Sequence, residues 1–430
     1  MSEWRVTAAW VRATAIAAVV TLAAVALGRP DVLVLAAPFG LLCALGAAHA
    51  PRTAAGAKVR LADHWLHEGQ STKLQIIPTT ARDLEQVTVT LAVPAFVIPQ
   101  PPTGAVAVTP RSGRDPAIEF LVSPRRWGVR STGTAMLAAT SSWGGYRWGP
   151  QRLPEAQVVA LPETRTFTSG ETPHPVGLIG QNRSRRGGDG SEFFAIRPFQ
   201  PGDRLRRVNW RTTLRTGEVH AVGTTAQEDS SVLLLLDATS DVGASAGVDG
   251  EASTLDVGVR AASALAAHHI QVGDRVALRV LGRTNQALGP GSGVRHQRRL
   301  QEQLAQVQPG WPDLLGARHL RFRAGAGTLV VVLTPMLTPE VTTVMVTLAQ
   351  RGLTVVVVDT LTTEILPETA RNPRTAARLA WRLRLVERQM QITEVTRRGI
   401  PVVPWHGPGT LDEVLRRLTR RSRMPRVRSR

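Results

Sequence analysis

The run Val232-Leu233-Leu234-Leu235-Leu236-Asp237-Ala238-Thr239-Ser240-Asp241 sets the fold class of this 430-residue chain. Consecutive apolar residues without polar alternation predict a strand covered on both faces, as a mainly parallel sheet requires. Outward from it, Thr254–His268 reads as an amphipathic, Ala-rich helix, Arg275–Leu281 as a strand and Arg298–Gln306 as a helix. Then follow Thr328–Leu333 as strand, Pro339–Arg351 as helix, Leu353–Asp359 as strand, a long Arg-rich helix over Thr375–Arg397, and Pro401–Val403 as strand. This alternation predicts a doubly wound α/β domain over residues 228–408, with a terminal helix from Leu411 and a basic tail within 409–430.

Open parallel sheets bind ligands at the carboxyl ends of their strands. There, Asp237, Thr239 and Asp241 offer oxygen ligands at two-residue steps, a donor set suited to Mg²⁺ when water completes the shell. The pattern resembles the metal-ion-dependent adhesion site of von Willebrand factor A domains, whose first element is Asp-x-Ser-x-Ser. Thr239 replaces the first serine, Asp241 stands in the place of the second, and Thr284 is the candidate for the isolated threonine of that site. Its later Asp is missing, because Thr328–Leu333 runs into Thr334-Pro335-Met336. Two readings stay open: a Mg²⁺ site, and a degenerate site in which the Asp237 side chain caps the next turn.

Upstream, residues 162–227 hold a Gly-, Pro- and Arg-rich linker, Pro162–Asp189, and then the chain's densest cluster of arginine, carboxylate and aromatic residues. Gly190, Glu192, Phe193, Arg197, Gly202, Asp203, Arg206, Trp210 and Arg215 fall at the spacing of the DUF58 family signature, and the chain resembles that family. Phe199 stands for the family's usual Tyr, Asn209 for an Asp and Leu214 for an Ala. Pro201-Gly202-Asp203 reads as a turn, and Arg197, Arg206 and Arg215 can pair with Glu192, Asp203 or Glu218. Such pairs would brace two domains, or the arginines and Trp210 would stay exposed as a docking face.

Residues 57–161 alternate with period two in Thr72–Ile77, Val87–Val93, Ala117–Val122 and Thr134–Ala138, between Pro- and Gly-rich turns. This predicts a small antiparallel β domain of the sandwich kind. Before it, within residues 1–52, two apolar runs, Val6–Leu27 and Val32–Ala50, each approach the roughly 20 residues that cross a bilayer. A cleaved signal peptide has one shorter run, so a two-helix transmembrane hairpin is expected. Arg5, Arg12, Arg52, Lys58 and Arg60 flank its open end, whereas Arg29 alone lies at the connection. The positive-inside rule then places the remaining domains in the cytoplasm.

The net charge of +19 favours an anionic neighbour. In the tail, Arg416–Arg430 is about half arginine and has few aromatic residues, which favours anionic lipid over nucleic acid. Cys43 is the only cysteine, which excludes an intrachain disulfide and a Cys-rich zinc site. The chain lacks a Gly-x-x-x-x-Gly-Lys-Ser/Thr loop, a His-Glu-x-x-His helix and a Gly-x-Ser-x-Gly elbow, and Gly289–Gly293 reads as a plain loop. No enzymatic activity is expected. The DUF58 resemblance implies a membrane-anchored, cytoplasm-facing interaction or assembly protein with a von Willebrand A-like domain and a MoxR-like AAA+ ATPase partner. A divalent-metal-dependent enzyme and a nucleic-acid-binding membrane protein are the alternatives.

Overall fold

The two apolar runs form helices α1 (Ala8–Ala26) and α2 (Leu33–Ala48) in a computed structural model of the chain. It describes residues 3–79, 84–110, 117–163, 184–200, 205–226, 231–283, 286–311, 328–362, 365–372 and 376–406, with backbone alone at 184–195, 206 and 223–226. Thr7 starts α1 by accepting the Trp10 N–H on its side chain at 3.2 Å. Ala8–Ala26 and Pro30–Ala48 are each long and apolar enough to cross a membrane, and most of their side chains are exposed. At the connection, Arg29 pairs with Asp31 at 2.9 Å.

The chain divides into two compact units, Met1–Pro162 with Ala246–Gly250, and Glu163–Ser245 with Glu251–Arg430. In the first unit the strands are β1 (Arg5–Val6), β2 (Ala57–Leu61), β3 (Trp65–His67), β4 (Thr72–Pro78), β5 (Leu84–Ala92) and β6 (Val97–Gln100). They continue with β7 (Ala105–Val108), β8 (Ile118–Pro124), β9 (Gly128–Ser131), β10 (Thr134–Ser141), β11 (Tyr146–Arg152) and β12 (Gln157–Leu161). A five-stranded sheet, β1-β11-β10-β5-β7, and a four-stranded sheet, β2-β4-β8-β6, turn their inward residues into one core. Leu74, Ile76, Ile118 and Phe120 from one sheet meet Val87, Val89, Leu137 and Trp148 from the other. The period-two alternation of these segments thus becomes one buried and one wet face per sheet.

In the second unit, β13 (Ser184–Pro198) and β14 (His220–Ala226) form an antiparallel pair, so strand begins inside the segment read as linker. Between them lies α3 (Trp210–Thr216). The six-stranded sheet contains β15 (Ser231–Asp237), β16 (Arg275–Leu281), β17 (Ala287–Gly291), β18 (Leu329–Thr334), β19 (Thr354–Asp359) and β20 (Val402–Pro404), in the order β17-β16-β15-β18-β19-β20. All neighbours are parallel except β16 and β17. The stretch Gly289–Gly293, expected to be loop, therefore supplies part of an edge strand, a place that tolerates Pro290.

The helices are α4 (Thr254–Gln271), α5 (Val294–Ala305), α6 (Pro339–Gln350) and α7 (Ala376–Arg397). Leu236 faces α4, where Gly258 permits close approach: a Cβ there would lie 3.0 Å from the Leu236 side chain. Leu233, Leu235, Val330, Val332, Val355 and Val357 face the other way, onto Val341, Met345 and Leu348 of α6 and Val395 of α7. Apolar residues at every strand position are explained by helices on both faces. The order reverses between β15 and β18, the topological switch point of a doubly wound sheet.

Candidate functional site

The switch point is flanked by Asp237 at the end of β15 and Thr334 at the end of β18. Asp237 Oδ1 accepts the Thr239 N–H at 3.0 Å and the Thr239 hydroxyl at 2.6 Å. Its Oδ2 accepts the Thr334 hydroxyl at 2.6 Å. Thr239 Oγ1 lies 2.9 Å from Oγ1 of Thr338, the residue that precedes α6, and Thr334 Oγ1 accepts the Met336 N–H at 3.0 Å. Asp237 is 3% exposed, and Thr334 and Thr338 are also buried. Burial pushes the Asp237 carboxyl above the ordinary carboxylate range, against the hydrogen bonds from Thr239 and Thr334, which favour the charged form.

The β18–α6 turn that carries Thr338 is held by α7. Arg388 Nε donates to the Pro335 carbonyl at 2.8 Å, and Arg384 donates to the Leu337 carbonyl. Arg388 also pairs with Asp359 at the end of β19, and both side chains are nearly buried. Asp359 repeats the local geometry of Asp237, since its Oδ1 accepts the N–H of Leu361, two residues on, at 3.0 Å. Burial raises the Asp359 carboxyl, and the Arg388 guanidinium pulls it back down. Leu337, Leu361 and Ala370 pack with Trp381 of α7, next to Val242, Ile365, Leu366 and Leu385, over the loops leaving these strands.

Of the three residues proposed for Mg²⁺, the structure brings Thr239 onto Asp237. It takes Asp241 elsewhere: Asp241 Oδ1 accepts the Leu255 N–H in the first turn of α4 at 3.1 Å. Thr284 lies outside the described residues. Asp237 and Thr239 thus come together in a buried network in which Oδ1 accepts two protons and Oδ2 one, while the Asp241 side chain is bonded apart from them, to α4. Among the described residues no group of three or more His, Cys, Asp or Glu side chains converges. Thr334, Thr338, Asp359 and Arg388 were not legible as members of this network. Asp359 alone left a signal, since Val355–Asp359 repeats the apolar-run-then-Asp pattern of Leu233–Asp237.

The signature residues divide differently. Gly202 and Asp203 lie outside the described residues, as do the side chains of Glu192, Phe193 and Arg206, and Gly190 is seen only as backbone in β13. Arg197 Nη1 donates to the Pro198 carbonyl at 3.2 Å, and the Arg197 backbone pairs with Ala221 of β14. Asn209 Oδ1 accepts the Thr212 N–H at 3.1 Å and caps α3, while Gly217, at φ +76°, ends it. Asn in place of Asp keeps that cap. Arg215 sits exposed in the last turn, where a cation suits the helix dipole. Trp210 is 64% exposed and Leu214 84%, so this helix offers an apolar outer face. The Asn209 to Gly217 spacing, cap to stop, was the unread signal for α3.

No curated protein matches the chain. Residues 195–382, from the end of β13 through the first turns of α7, match the model of the family described as "Protein of unknown function DUF58", the family that the residues from Arg197 to Arg215 resemble.

Proposed function

We propose that this chain is a membrane-anchored protein-interaction and assembly protein of the DUF58 type, with no catalytic activity of its own. The observation that carries the reading is the switch point. Where a doubly wound sheet usually receives its ligand, Asp237, Thr239, Thr334 and Thr338 satisfy one another below the solvent surface. Asp237 already accepts three protons from Thr239 and Thr334 and is 3% exposed, which supports a structural role for it over contact with a substrate. On this reading the α/β unit is a von Willebrand A-like binding domain with a degenerate metal site, and it works through its outer surface.

Trp210 supports α3 as that surface, since it is exposed on the same short helix as the exposed Arg215 and Trp and Arg are the residue types that dominate docking energetics; Leu214 and Leu205 add exposed apolar area beside it. The partner implied by the family resemblance is a MoxR-like AAA+ ATPase. Anchoring rests on α1 and α2. Their connection carries a cation neutralised by Asp31, whereas Arg5, Arg12, Arg52, Lys58 and Arg60 stand at the open end, which supports a cytoplasmic placement of the β and α/β domains.

The test is affinity capture of the detergent-solubilised full chain, with and without Mg²⁺ and ATP, beside a Trp210→Ala variant whose melting temperature is checked. An AAA+ ATPase identified with the wild type and lost from a normally folded variant is the expected result. Equal capture by the variant would remove α3 as the docking face. Nucleotide hydrolysis by the chain purified free of the ATPase would replace the whole reading with an enzymatic one.

A further inference from the structure

The base of the α1–α2 hairpin is built onto one turn of the first unit. Thr7 N–H donates to the Gly145 carbonyl at 3.0 Å and the Thr7 hydroxyl to the Gly144 carbonyl at 2.7 Å. Trp10 Nε1 donates to the Cys43 carbonyl at 3.3 Å, and its ring lies 6.4 Å from that of Tyr146. Gly46 of α2 and Gly145 touch: a Cβ on Gly145 would lie 3.3 Å from Gly46 Cα. On the other side of the base, Trp4 Nε1 donates to the Thr53 carbonyl at 2.8 Å. The turn and both helix ends therefore share one level along the helix axes.

At that level β1 pairs antiparallel with β11, with Arg5 opposite Arg147 and Val6 opposite Tyr146. Directly opposed residues project to the same face, and like charges so placed repel. Arg5 and Arg147 are both exposed, and neither forms an ion pair among the described residues, Glu3 included. Two arginines at one register position without a carboxylate partner suit a phosphate, which each guanidinium can bind. Four residues before Arg147, in the turn that holds Thr7, Trp143 has a left-handed conformation, φ +64° and ψ 15°, and is 49% exposed. A bulky residue in that region is costly and persists where its surroundings impose it.

We propose that this base is a lipid-headgroup site, in which Arg5 and Arg147 clamp the phosphate of an anionic phospholipid and Trp143 lies in the interfacial layer beside it. The inference rests on the membrane reading of α1 and α2. A 19-residue helix is about 28 Å long, which matches the hydrocarbon core, so residues just before Ala8 and the turn bonded to them fall at headgroup depth. Trp and Tyr at that depth form the usual aromatic belt. The site would fix the first unit against the bilayer surface, beyond simply tethering it.

The test uses the full chain in nanodiscs of phosphatidylcholine, with or without phosphatidylglycerol. Native mass spectrometry should find phosphatidylglycerol retained in preference to phosphatidylcholine. The Arg5→Gln, Arg147→Gln double variant should lower that preference roughly thirtyfold, as expected for two cations at an anionic surface, without a lower melting temperature. A nitroxide attached in the Trp143→Cys, Cys43→Ser variant should be more accessible to oxygen than to a water-soluble nickel complex. A preference unchanged in the double variant, or one abolished by millimolar inorganic phosphate, would overturn the headgroup site. Alkaline carbonate separates the two readings: release of the wild type from vesicles overturns both, whereas a chain that resists carbonate yet shows no lipid preference overturns this one alone.

Discussion

Replacing Asp237 with alanine or asparagine separates a self-satisfied network from an ion site. Alanine strips the acceptor from three donors: the Thr239 N–H, the Thr239 hydroxyl and the Thr334 hydroxyl. The hydroxyls retain neighbours, since Thr239 Oγ1 has Thr338 and Thr334 Oγ1 has the Met336 N–H. The Thr239 N–H loses its acceptor outright, at about 1–3 kcal/mol, and the two hydroxyl bonds add about 0.5–1.5 kcal/mol each. The total is about 2–6 kcal/mol, or a melting temperature lower by about 4–24 °C for a unit of this size. Asparagine keeps the carbonyl acceptor for Thr239 and turns its amide toward Thr334, so its cost should stay within about 1 kcal/mol.

The pH dependence adds a second readout. Burial raises the folded pKa of Asp237 above its unfolded value of about 3.9. The stability that this shift contributes is fully present below that value and is lost as pH rises through the folded pKa. Asparagine does not titrate. The melting temperature of Asp237→Asn minus that of the wild type should therefore increase as pH rises, measured by near-UV circular dichroism of the full chain in detergent. If asparagine is as damaging as alanine at every pH and Mg²⁺ raises the melting temperature of the wild type alone, the self-satisfied network is refuted. That outcome would mean a charged carboxylate holding a cation.

Two further variants probe the frame around this network. Arg388→Ala leaves the buried Asp359 carboxyl without its partner and should cost about 3–5 kcal/mol in denaturant unfolding, whereas Arg388→Met combined with Asp359→Leu should recover most of it. Asn209→Ala should cost about 1 kcal/mol by loss of the α3 cap, and Asn209→Asp should be close to neutral, both read by calorimetry.

Local patterns carried much of the fold. The start of α4 at Thr254 follows from Ser253 and Asp256, which form a capping box, and the apolar runs of β15, β18 and β19 needed no partner to be read as strands. Short strands were harder to see. Gly128–Ser131 and Tyr146–Arg152 carry glycine, arginine or proline where alternation should show, and β17 hides behind Gly289 and Pro290. Such segments become strands because a neighbour supplies the hydrogen-bonded ladder.

The candidate site divides along the same line. Asp237 and Thr239 could be chosen from sequence because a strand-end carboxylate and the residue two positions on meet within one turn. Residue order was enough to define most elements, the two apolar helices and the side of the hairpin on which charge collects, all of which depend on neighbours a few residues apart. Three-dimensional packing was needed to close Asp237 off with Thr334 and to link it through Thr239 to Thr338, partners 97 and 99 residues distant in the chain. It also set Arg388 of α7 against Asp359. Those meetings depend on β15 lying beside β18 rather than on any local preference, and strand order is settled by how the whole sheet buries its two faces.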